Sequence, residues 1–402
     1  MRLEKLSIAD VPIEGKRVFV RVDFNVPLDK QGHVTDDTRI RASLPTVQHA
    51  TARGAKVILA SHLGRPAGKV DPQYSLRPVA ACLSGLLGKN IPLADDCVGP
   101  TVEGLAARMR EGDVLLLENL RFHPEEEKND SMFAQRLARL ADVYVNDAFG
   151  TAHRAHASTE GMTKFLSVAA AGLLMQAELS HLGQLLATPD RPYTAILGGA
   201  KVSDKIGLIL NLLPKLNRVL IGGGMAYTFL VAQGVPVGNS LVEADKVDAA
   251  REILAKATAL GVTIQLPADH VIAERLDASA ATRVVPKDGV PSGWMGVDIG
   301  PQTVEAFSRA ISEAKTVVWN GPMGVFEIAP FAQGTTAIAV AVTSSQATTI
   351  VGGGDTVAAV NQAGVAERIT HISTGGGAFL ELLEGRELPG VAALMDKPGT
   401  GA

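Results

Sequence analysis

Short hydrophobic runs that end in Gly, Asp, Asn or His recur from one end of the chain to the other. The run at residues 17–22 ends at Asp23, and the stretch at 131–141, whose apolar residues have helical spacing, is typical of the segments between runs. The alternation of strand, polar strand end and helix predicts an α/β fold with parallel sheets. The other predicted strands are residues 56–60, 114–117, 143–145, 193–197, 218–221, 316–319, 348–351 and 371–373.

The polar residues at the strand ends differ between the two halves of the chain. Up to about residue 160 they are rich in Arg, His and Asn, whereas from about residue 195 they are rich in Gly and Lys. Between the halves, residues 168–187 have apolar positions at helical spacing, which predicts a stiff helical connector. Because ligands bind beyond the carboxyl ends of parallel strands, we expect two domains with different ligand chemistry.

The overall composition narrows the class of protein. The chain has 402 residues, of which 46% are hydrophobic and 20% charged, as is typical of globular proteins with more than one domain. A net charge of −4 argues against a nucleic-acid partner. No apolar run is long enough to span a membrane and no signal core is present, so we expect a cytoplasmic protein with no membrane partner. Cys82 and Cys97 are the only cysteines, which predicts neither a disulfide framework nor a zinc site by spacing.

Arginines follow several strands of the first half, each with His or Asn nearby. The planar guanidinium group suits phosphate and carboxylate groups. A single arginine after a strand is usually a solvated charge. Several that converge would repel one another unless an anion lay among them, so we expect a site for a small, doubly anionic molecule. The arginines are Arg39, Arg65, Arg121 and Arg154, and His62, His153 and His156 are expected to donate hydrogen bonds rather than to bind metal.

In the second half, a β-branched run leads through three glycines at 352–354 to Asp355 and Thr356, where a helix begins. Free N–H groups and the helix dipole make such a turn an anion site, and Asp355 is suited to hold Mg²⁺ on a bound phosphate. A tight turn with an N-cap is an equally good interpretation of this stretch alone.

A second glycine turn precedes Lys201 and Lys205. These lysines are four residues apart, which predicts one helical face and an anionic partner, although two exposed helix lysines are the alternative. Residues 221–225 and 294–297 are expected to form an apolar slot for a base, and Glu327 to bind ribose hydroxyls. The chain has no GxxxxGK[ST] string, so this is not a Walker A loop.

Long strings in this order resemble phosphoglycerate kinases over essentially the whole chain. Met395 and the tail KPGTGA are small departures from the family pattern. The matching strings are RVDFNVP (21–27), SHLGRP (61–66), ENLRFHPEEEKND (118–130), VNDAFGTAHRAHAS (145–158), GGAKVSDKI (198–206), IGGGMAYTFL (221–230), GWMGVDIGP (293–301), WNGPMGVFE (319–327), GGGDT (352–356) and STGGGAFLE (373–381).

The resemblance implies two Rossmann-like domains with parallel sheets either side of a cleft, joined by a helix. The domains would be residues 1–168 for phosphoglycerate, joined by a C-terminal segment from about 378 to 402, a helix at 169–187, and residues 188–377 for nucleotide. The implied reaction is reversible Mg²⁺-dependent transfer of the acyl phosphate of 1,3-bisphosphoglycerate to ADP, which gives 3-phosphoglycerate and ATP. A monomer is expected.

The resemblance also implies roles for matching residues. Lys201 would neutralise the phosphoryl group in transfer with Arg39, Gly353 and Gly376, and Asp355 would bind the metal. The phosphoglycerate residues would be Asp23, Phe24, Asn25, Arg39, His62, Leu63, Gly64, Arg65, Arg121 and Arg154. The nucleotide residues would be Gly199, Lys201, Lys205, Gly223, Gly296, Val297, Asn320, Pro322, Glu327, Gly352, Gly353, Gly354, Asp355 and Thr356.

The implied chemistry fits a site rich in cations. In the reverse direction the acceptor is a carboxylate, and a carboxyl pKa of about 3.5 leaves it ionised at neutral pH without a general base. The remaining difficulty is repulsion between two anionic ligands, which arginines and lysines offset, and cleft closure would exclude water. A kinase for another small phosphorylated carboxylate and a nucleotide-binding scaffold protein are the alternatives.

Overall fold

The computed structural model describes residues 2–399 and divides into two compact units. The first unit runs to Gly183 and resumes at Glu387, and the second unit is Gln184–Arg386. Residue 1 and residues 400–402, which the predicted domain limits include, lie outside the described residues. Within residues 2–399, no helix is both long and apolar enough to cross a membrane.

The first unit is built on a parallel sheet with the strand order β3-β2-β1-β4-β5. Its strands are nearly continuous hydrophobic runs because both faces of the sheet are buried. Fully buried Val20, Leu59 and Val145, from three neighbouring strands, pack in one core with Val47 of a helix. The strands are β1 (Arg17–Val22), β2 (Lys56–Ala60), β3 (Val114–Leu116), β4 (Val143–Asp147) and β5 (Ala169–Ala171), and the helices are α1 (Thr38–Ala52), α2 (Arg77–Leu87), α3 (Pro100–Arg108), α4 (Pro124–Glu127) and α5 (Ser131–Ala138).

The helix predicted at 169–187 begins later than expected. Residues 169–171 form β5, which pairs with β4, and α6 covers Leu173–Ala187. The carboxylate of Asp147 accepts hydrogen bonds from the amides of Leu174 at 3.0 Å and Met175 at 3.2 Å, which fixes the N-terminus of α6 at this point. Three alanines favour a helix on their own, and pairing with β4 overrides that preference here.

The second unit has a six-stranded parallel sheet with the order β14-β13-β12-β6-β7-β8. A separate antiparallel sheet, β10-β9-β11, was not predicted from the sequence. The strands are β6 (Tyr193–Leu197), β7 (Arg218–Ile221), β8 (Thr263–Gln265), β9 (Asp269–Ala273), β10 (Thr282–Pro286), β11 (Met295–Ile299), β12 (Thr316–Asn320), β13 (Thr348–Val351) and β14 (His371–Ile372). The helices are α7 (Ile206–Leu212), α8 (Met225–Ala232), α9 (Val247–Ala259), α10 (Pro301–Ser312), α11 (Gln333–Ser344), α12 (Gly354–Gln362) and α13 (Gly377–Leu383).

The C-terminal segment that rejoins the first unit starts at Glu387 rather than near residue 378. Helix α13 stays in the second unit because the Asn211 side chain donates to the carbonyl of Leu383 at 2.7 Å. The segment then forms α14 (Pro389–Ala392) and returns to β5, where the Met395 amide donates to the carbonyl of Ala169 at 2.9 Å. Met395, a departure from the family pattern, therefore contributes its backbone to the first unit.

Candidate active site

The strand ends of the first sheet bring together polar groups from distant parts of the chain. Asp23 follows β1, and its Oδ2 accepts a hydrogen bond from Arg39 Nη1 at 3.1 Å. The same nitrogen donates to the carbonyl of Asn25 at 3.2 Å. Arg39 lies in the first turn of α1, which begins at Thr38 after the cap residue Asp37. The end of β1 and the start of α1 therefore hold one arginine, 43% exposed, at the edge of the sheet.

A buried arginine fixes the histidine that follows β2. Arg21 in β1 is 1% exposed, and its Nη2 lies 3.2 Å from His62 Nδ1. Its Nε donates to Ser158 Oγ at 2.8 Å, and Ser158 donates to the buried carboxylate of Glu126 at 2.5 Å. Burial and then Arg21 lower the pKa of His62 well below its usual value, so the imidazole is neutral near pH 7. Arg21 was not predicted as a site residue, because its only signal in the sequence is a charge inside a buried strand.

Hydrogen bonds join the loop after β2 to the neighbouring strand ends. The amide of Gly64 donates to Asn25 Oδ1 at 2.9 Å, and its carbonyl accepts from Arg121 Nη1 at 2.9 Å. Arg121 also lies 3.2 Å from Glu127 Oε1 through its Nε. Arg121 is only 6% exposed. Its guanidinium group is therefore held in place by these contacts and is not a freely solvated charge.

Two of the predicted phosphoglycerate residues are core residues. Phe24 and Leu63 are 0% and 3% exposed, and their side chains pack in the core of the first unit. The Phe24 amide donates to Ser61 Oγ at 2.8 Å. Their side chains therefore support the loops by packing, whereas Arg65, the next residue but one after Leu63, is exposed.

The electrostatic effects on His156 show that several arginines act on one location. Burial, and then Arg21, Arg121 and Arg154, lower the pKa of His156 to about 3. The Nε of Arg154 also donates to His153 Nε2 at 3.2 Å. Cations that converge in this way create a positive potential, and a small anion is the ligand that such a site suits.

The glycine loops of the second unit contact one another through their backbones. The amide of Gly199 donates to the carbonyl of Pro322 at 2.9 Å, and the amide of Gly223 donates to that of Met323 at 2.9 Å. A Cβ atom at Gly198 would overlap the carbonyl oxygen of Pro322. Glycine is therefore required for the ends of β6, β7 and β12 to form one continuous surface.

These loops line a cavity of about 320 Å³, a size that suits a nucleoside. Met295 and Val297 give it apolar walls, whereas Trp294, predicted in the same slot, is not part of the lining and lies under the Arg283 guanidinium at 3.8 Å. Asp298, which was not predicted from the sequence, also lines the cavity, and burial raises its pKa to about 7. The predicted nucleotide residues that line the cavity are Gly199, Gly223, Gly296, Val297, Pro322, Glu327 and Asp355.

The glycine turn after β13 is tied to the end of β12. Gly353 has a φ of +95°, a conformation that favours glycine, and it is the residue before α12. Asn320 Nδ2 donates to the carbonyl of Gly352 at 2.6 Å, and Asn320 Oδ1 accepts from Lys205 Nζ. Thr356 is 1% exposed, and its hydroxyl accepts a hydrogen bond from the amide of Gly321, just after β12, at 2.7 Å. Asn320 therefore links Lys205 to the turn.

The expectation that Lys201 and Lys205 share a helical face is wrong. Helix α7 begins only at Ile206, so both lysines lie in the loop before it. The amide and hydroxyl of Ser203 bind the Glu243 carboxylate at 3.1 and 2.6 Å, which holds this loop outside the helix. Lys201 is exposed, whereas Lys205 is half-buried, and burial lowers the pKa of Lys205.

The remaining predicted residues of the second unit lie at two helix starts. Gly354 and Asp355 are exposed in the first turn of α12, where free N–H groups and the helix dipole favour an anion. Gly376 has a φ of +49° and precedes α13. Gly376 and Lys201 are not among the residues that line the cavity.

Comparisons with known proteins show the family of the chain. The family model for phosphoglycerate kinase matches residues 8–386. The chain belongs to the phosphoglycerate kinase family. Phosphoglycerate kinase from Pelotomaculum thermopropionicum is 57% identical over 98% of this chain and 100% of that protein. A cytosolic phosphoglycerate kinase from Nicotiana tabacum is 57% identical over 97% of this chain and 98% of its own.

Solved structures place the chain in the same family. The structure of phosphoglycerate kinase from Coxiella burnetii has a TM-score of 0.89 and 43% sequence identity, and the match covers 97% of this chain and 98% of that one. The predicted family, the α/β fold class and the activity of a glycolytic phosphoglycerate kinase are thus confirmed.

Proposed function

We propose that the first unit binds phosphoglycerate and the second unit binds the nucleotide. The observation that carries this division is the contrast between the two strand-edge sites. At the first edge Arg39 is held by Asp23 and Arg121 by the carbonyl of Gly64, whereas glycine loops surround the cavity of about 320 Å³ at the second. A small, doubly charged anion fits the first site, and a base with an uncharged sugar fits the second.

In the first unit, the exposed guanidinium groups would bind phosphate and the carboxylate end of the substrate. Arg65 is exposed and the Arg39 side chain is 43% exposed, so both guanidinium groups are accessible to a ligand. The Asp23 carboxylate would accept a hydrogen bond from the substrate hydroxyl, and the Asn25 side-chain amide would donate one to it. Neutral His62, held by Arg21, would donate a hydrogen bond without adding charge.

In the second unit, Glu327 would bind the ribose hydroxyls, and Gly296 and Val297 would contact the base. Lys205 and Thr356 would bind the nucleotide phosphates together with the N–H groups of the turn at 352–354. Lys205 is already held toward this turn by Asn320, which reduces the entropy lost on binding.

Asp355 is the residue we propose for Mg²⁺. Its exposed carboxylate is an oxygen donor at the start of α12, beside the proposed phosphate turn, and Mg²⁺ typically takes one or two carboxylates and completes its shell with phosphate oxygens and water. When bound, Mg²⁺ would neutralise charge on the nucleotide phosphates.

Catalysis would be positioning and charge stabilisation. Lys201, Arg39 and the backbone groups of Gly353 and Gly376 would stabilise charge on the equatorial oxygens of the phosphoryl group. The acceptor carboxylate is already ionised, so no general base is required. Since the two ligands are assigned to different units, we infer that in-line transfer requires the units to close on one another, which also excludes water.

The test is ADP release from MgATP by purified protein with 3-phosphoglycerate, with hydroxylamine present to trap the acyl phosphate. Glycerate and 2-phosphoglycerate are the matched controls. ADP and hydroxamate formed only with 3-phosphoglycerate support the proposal. Turnover with another phosphorylated carboxylate supports the alternative acceptor, and MgATP binding without turnover supports the scaffold alternative. The monomeric state and the cytoplasmic location stay predictions, since the relatives include proteins named cytosolic and chloroplastic.

A further inference from the structure

A carboxylate, a thiol and an imidazole meet in the first unit, apart from the residues assigned to phosphoglycerate. Asp96, Cys97 and His123 each offer one ligand atom, and these three atoms lie within 4.8 Å of one another. Asp96 and Cys97 precede α3, and His123 precedes α4. The cluster therefore depends on the fold, which brings two distant segments together.

We propose that Asp96, Cys97 and His123 form a binding site for a divalent transition-metal ion such as Zn²⁺. Thiolate, imidazole and carboxylate are the three ligand types that zinc takes in proteins, and three protein ligands with a solvent ligand are a common zinc arrangement. Mg²⁺ prefers oxygen ligands in an octahedron, so this site would not compete with Asp355 for that ion.

The geometry needs only small adjustments to hold an ion. Zinc bonds of about 2.0–2.3 Å place tetrahedral ligand atoms roughly 3.3–3.8 Å apart. Asp96 Oδ1 now lies 2.6 Å from His123 Nε2 and 2.6 Å from the Cys97 amide nitrogen. The Asp96 side chain is 47% exposed, so it can turn outward to admit the ion between itself and the imidazole.

The other two ligands are already held. The His123 ring packs against Phe133 with the ring centres 5.1 Å apart, and the His123 amide donates to the carbonyl of Leu120 at 3.2 Å. Cys97 is 0% exposed, so it forms the floor of the site, and the ion would enter past Asp96 and His123. Fixed ligands favour binding because less conformational entropy is lost.

The charges around the thiol favour a cation. The carboxylates of Asp96 and Glu126 lie close enough to the Cys97 thiol to act on it electrostatically. A divalent ion would displace the thiol proton to solvent and turn these repulsive carboxylates into attractive neighbours. Spacing along the sequence gave no such signal, because Cys97 and His123 lie in separate segments.

The experiment is a Co²⁺ titration of the full-length, chelator-treated protein, followed by the thiolate-to-Co²⁺ charge-transfer absorption. We expect saturation at one ion per chain, displacement by Zn²⁺ and no displacement by Mg²⁺. The variants Cys97→Ser and His123→Gln should each weaken binding at least about tenfold. Cys82→Ser, which changes the only other cysteine, is the matched control and should bind as the unchanged protein does.

His123→Gln keeps the test informative even where Cys97→Ser disturbs the core, because the His123 side chain is 25% exposed. A charge-transfer band that survives in Cys97→Ser but disappears in Cys82→Ser would assign the ion to the other thiol and overturn the proposal. Absence of a saturable band in natively folded protein would overturn it as well. Asp355→Asn should leave the band unchanged, which separates this site from the proposed magnesium site.

Discussion

At the scale of single residues, His156 reports the charge of its surroundings. Burial and three arginines lower its pKa to about 3, so the folded state favours the neutral imidazole. A histidine with a lowered pKa contributes stability above its ordinary value near 6.5, and this stability is lost as the pH falls toward about 3. An anion bound among these arginines would offset their charge and make protonation easier.

We therefore predict that saturating 3-phosphoglycerate raises the pKa of His156. The measurement is an NMR titration of the histidine Cε1–H resonances with and without the ligand. The exposed His33 supplies a reference resonance from the same unit. An unchanged titration of His156 at saturating ligand would mean that the anion binds away from these arginines.

Lys201 is the residue for which we predict the largest effect on turnover. Its side chain is exposed, so Lys201→Ala removes a charge without disturbing a core. By analogy with other cations that stabilise phosphoryl transfer, turnover should fall by about 10³-fold. The affinity for MgADP should change much less, because Lys205 is the residue assigned to the nucleotide phosphates.

Steady-state kinetics and calorimetric titration with MgADP separate the two effects of Lys201→Ala. The exposed helix residue Lys256 gives a matched control, and Lys256→Ala should leave both quantities unchanged. A variant of Lys201 that loses mainly nucleotide affinity would contradict the transition-state role.

At the scale of elements, the nucleotide cavity depends on the close approach of β11 to α8. A Cβ atom at Gly296 would overlap the hydroxyl of Tyr227, which is 4% exposed and lies 3.3 Å from His270 Nδ1. Gly296→Ala should therefore displace the cavity wall, destabilise the fold by about 1–3 kcal/mol and weaken nucleotide binding. Denaturant unfolding and nucleotide titration measure the two effects.

Gly85 is the matched control for Gly296, because it has room for a side chain. It lies inside α2, and a Cβ atom there meets open space. Gly85→Ala should raise the free energy of unfolding by about 0.5–1 kcal/mol, because alanine favours the helix, and leave nucleotide affinity unchanged. Equal nucleotide affinity in the two variants would show that the β11 wall is not part of the nucleotide site.

The elements that sequence reasoning found are those with their own hydrophobic signal. The strands at residues 17–22 and 56–60 were predicted with the ends that the structure has, since each is a hydrophobic run closed by a polar residue. Strand β10 (Thr282–Pro286) was missed because it is mostly exposed and pairs at an edge. Strand β5 was assigned to a helix because alanine favours helices, and only its pairing with β4 in the folded chain overrides that preference.

The same distinction applies to the site. Glycine turns and arginines after strands mark strand ends locally, so the sequence indicated where polar groups and glycine loops gather at the edges of the two sheets. Arg21 was missed because the role of a charged residue inside a strand can be inferred only when its partners are known. These partners, Ser158 and His62, lie in distant segments of the chain. The cluster at Asp96, Cys97 and His123 was missed because only tertiary structure joins its segments.

At the scale of the whole molecule, the assignment of the two ligands to different units has a consequence for shape in solution. Phosphoryl transfer requires the donor and acceptor atoms to be in line and in near contact. If each ligand is bound by its own unit, the ternary complex must be more compact on average than either binary complex. A ligand shifts the equilibrium between open and closed states only when it binds one of them more tightly. Two ligands with opposite preferences would offset each other and would not produce this compaction.

We predict a smaller radius of gyration in small-angle X-ray scattering when 3-phosphoglycerate and a non-hydrolysable MgATP analogue are both present than when either is present alone. Arg39→Ala is the informative variant, because Arg39 is assigned both to the substrate and to the transferred phosphoryl group. In this variant, compaction should be reduced at the same ligand concentrations. Equal radii for the free protein, the two binary complexes and the ternary complex would contradict closure, and the transfer would then have to occur without a change in the average separation of the units.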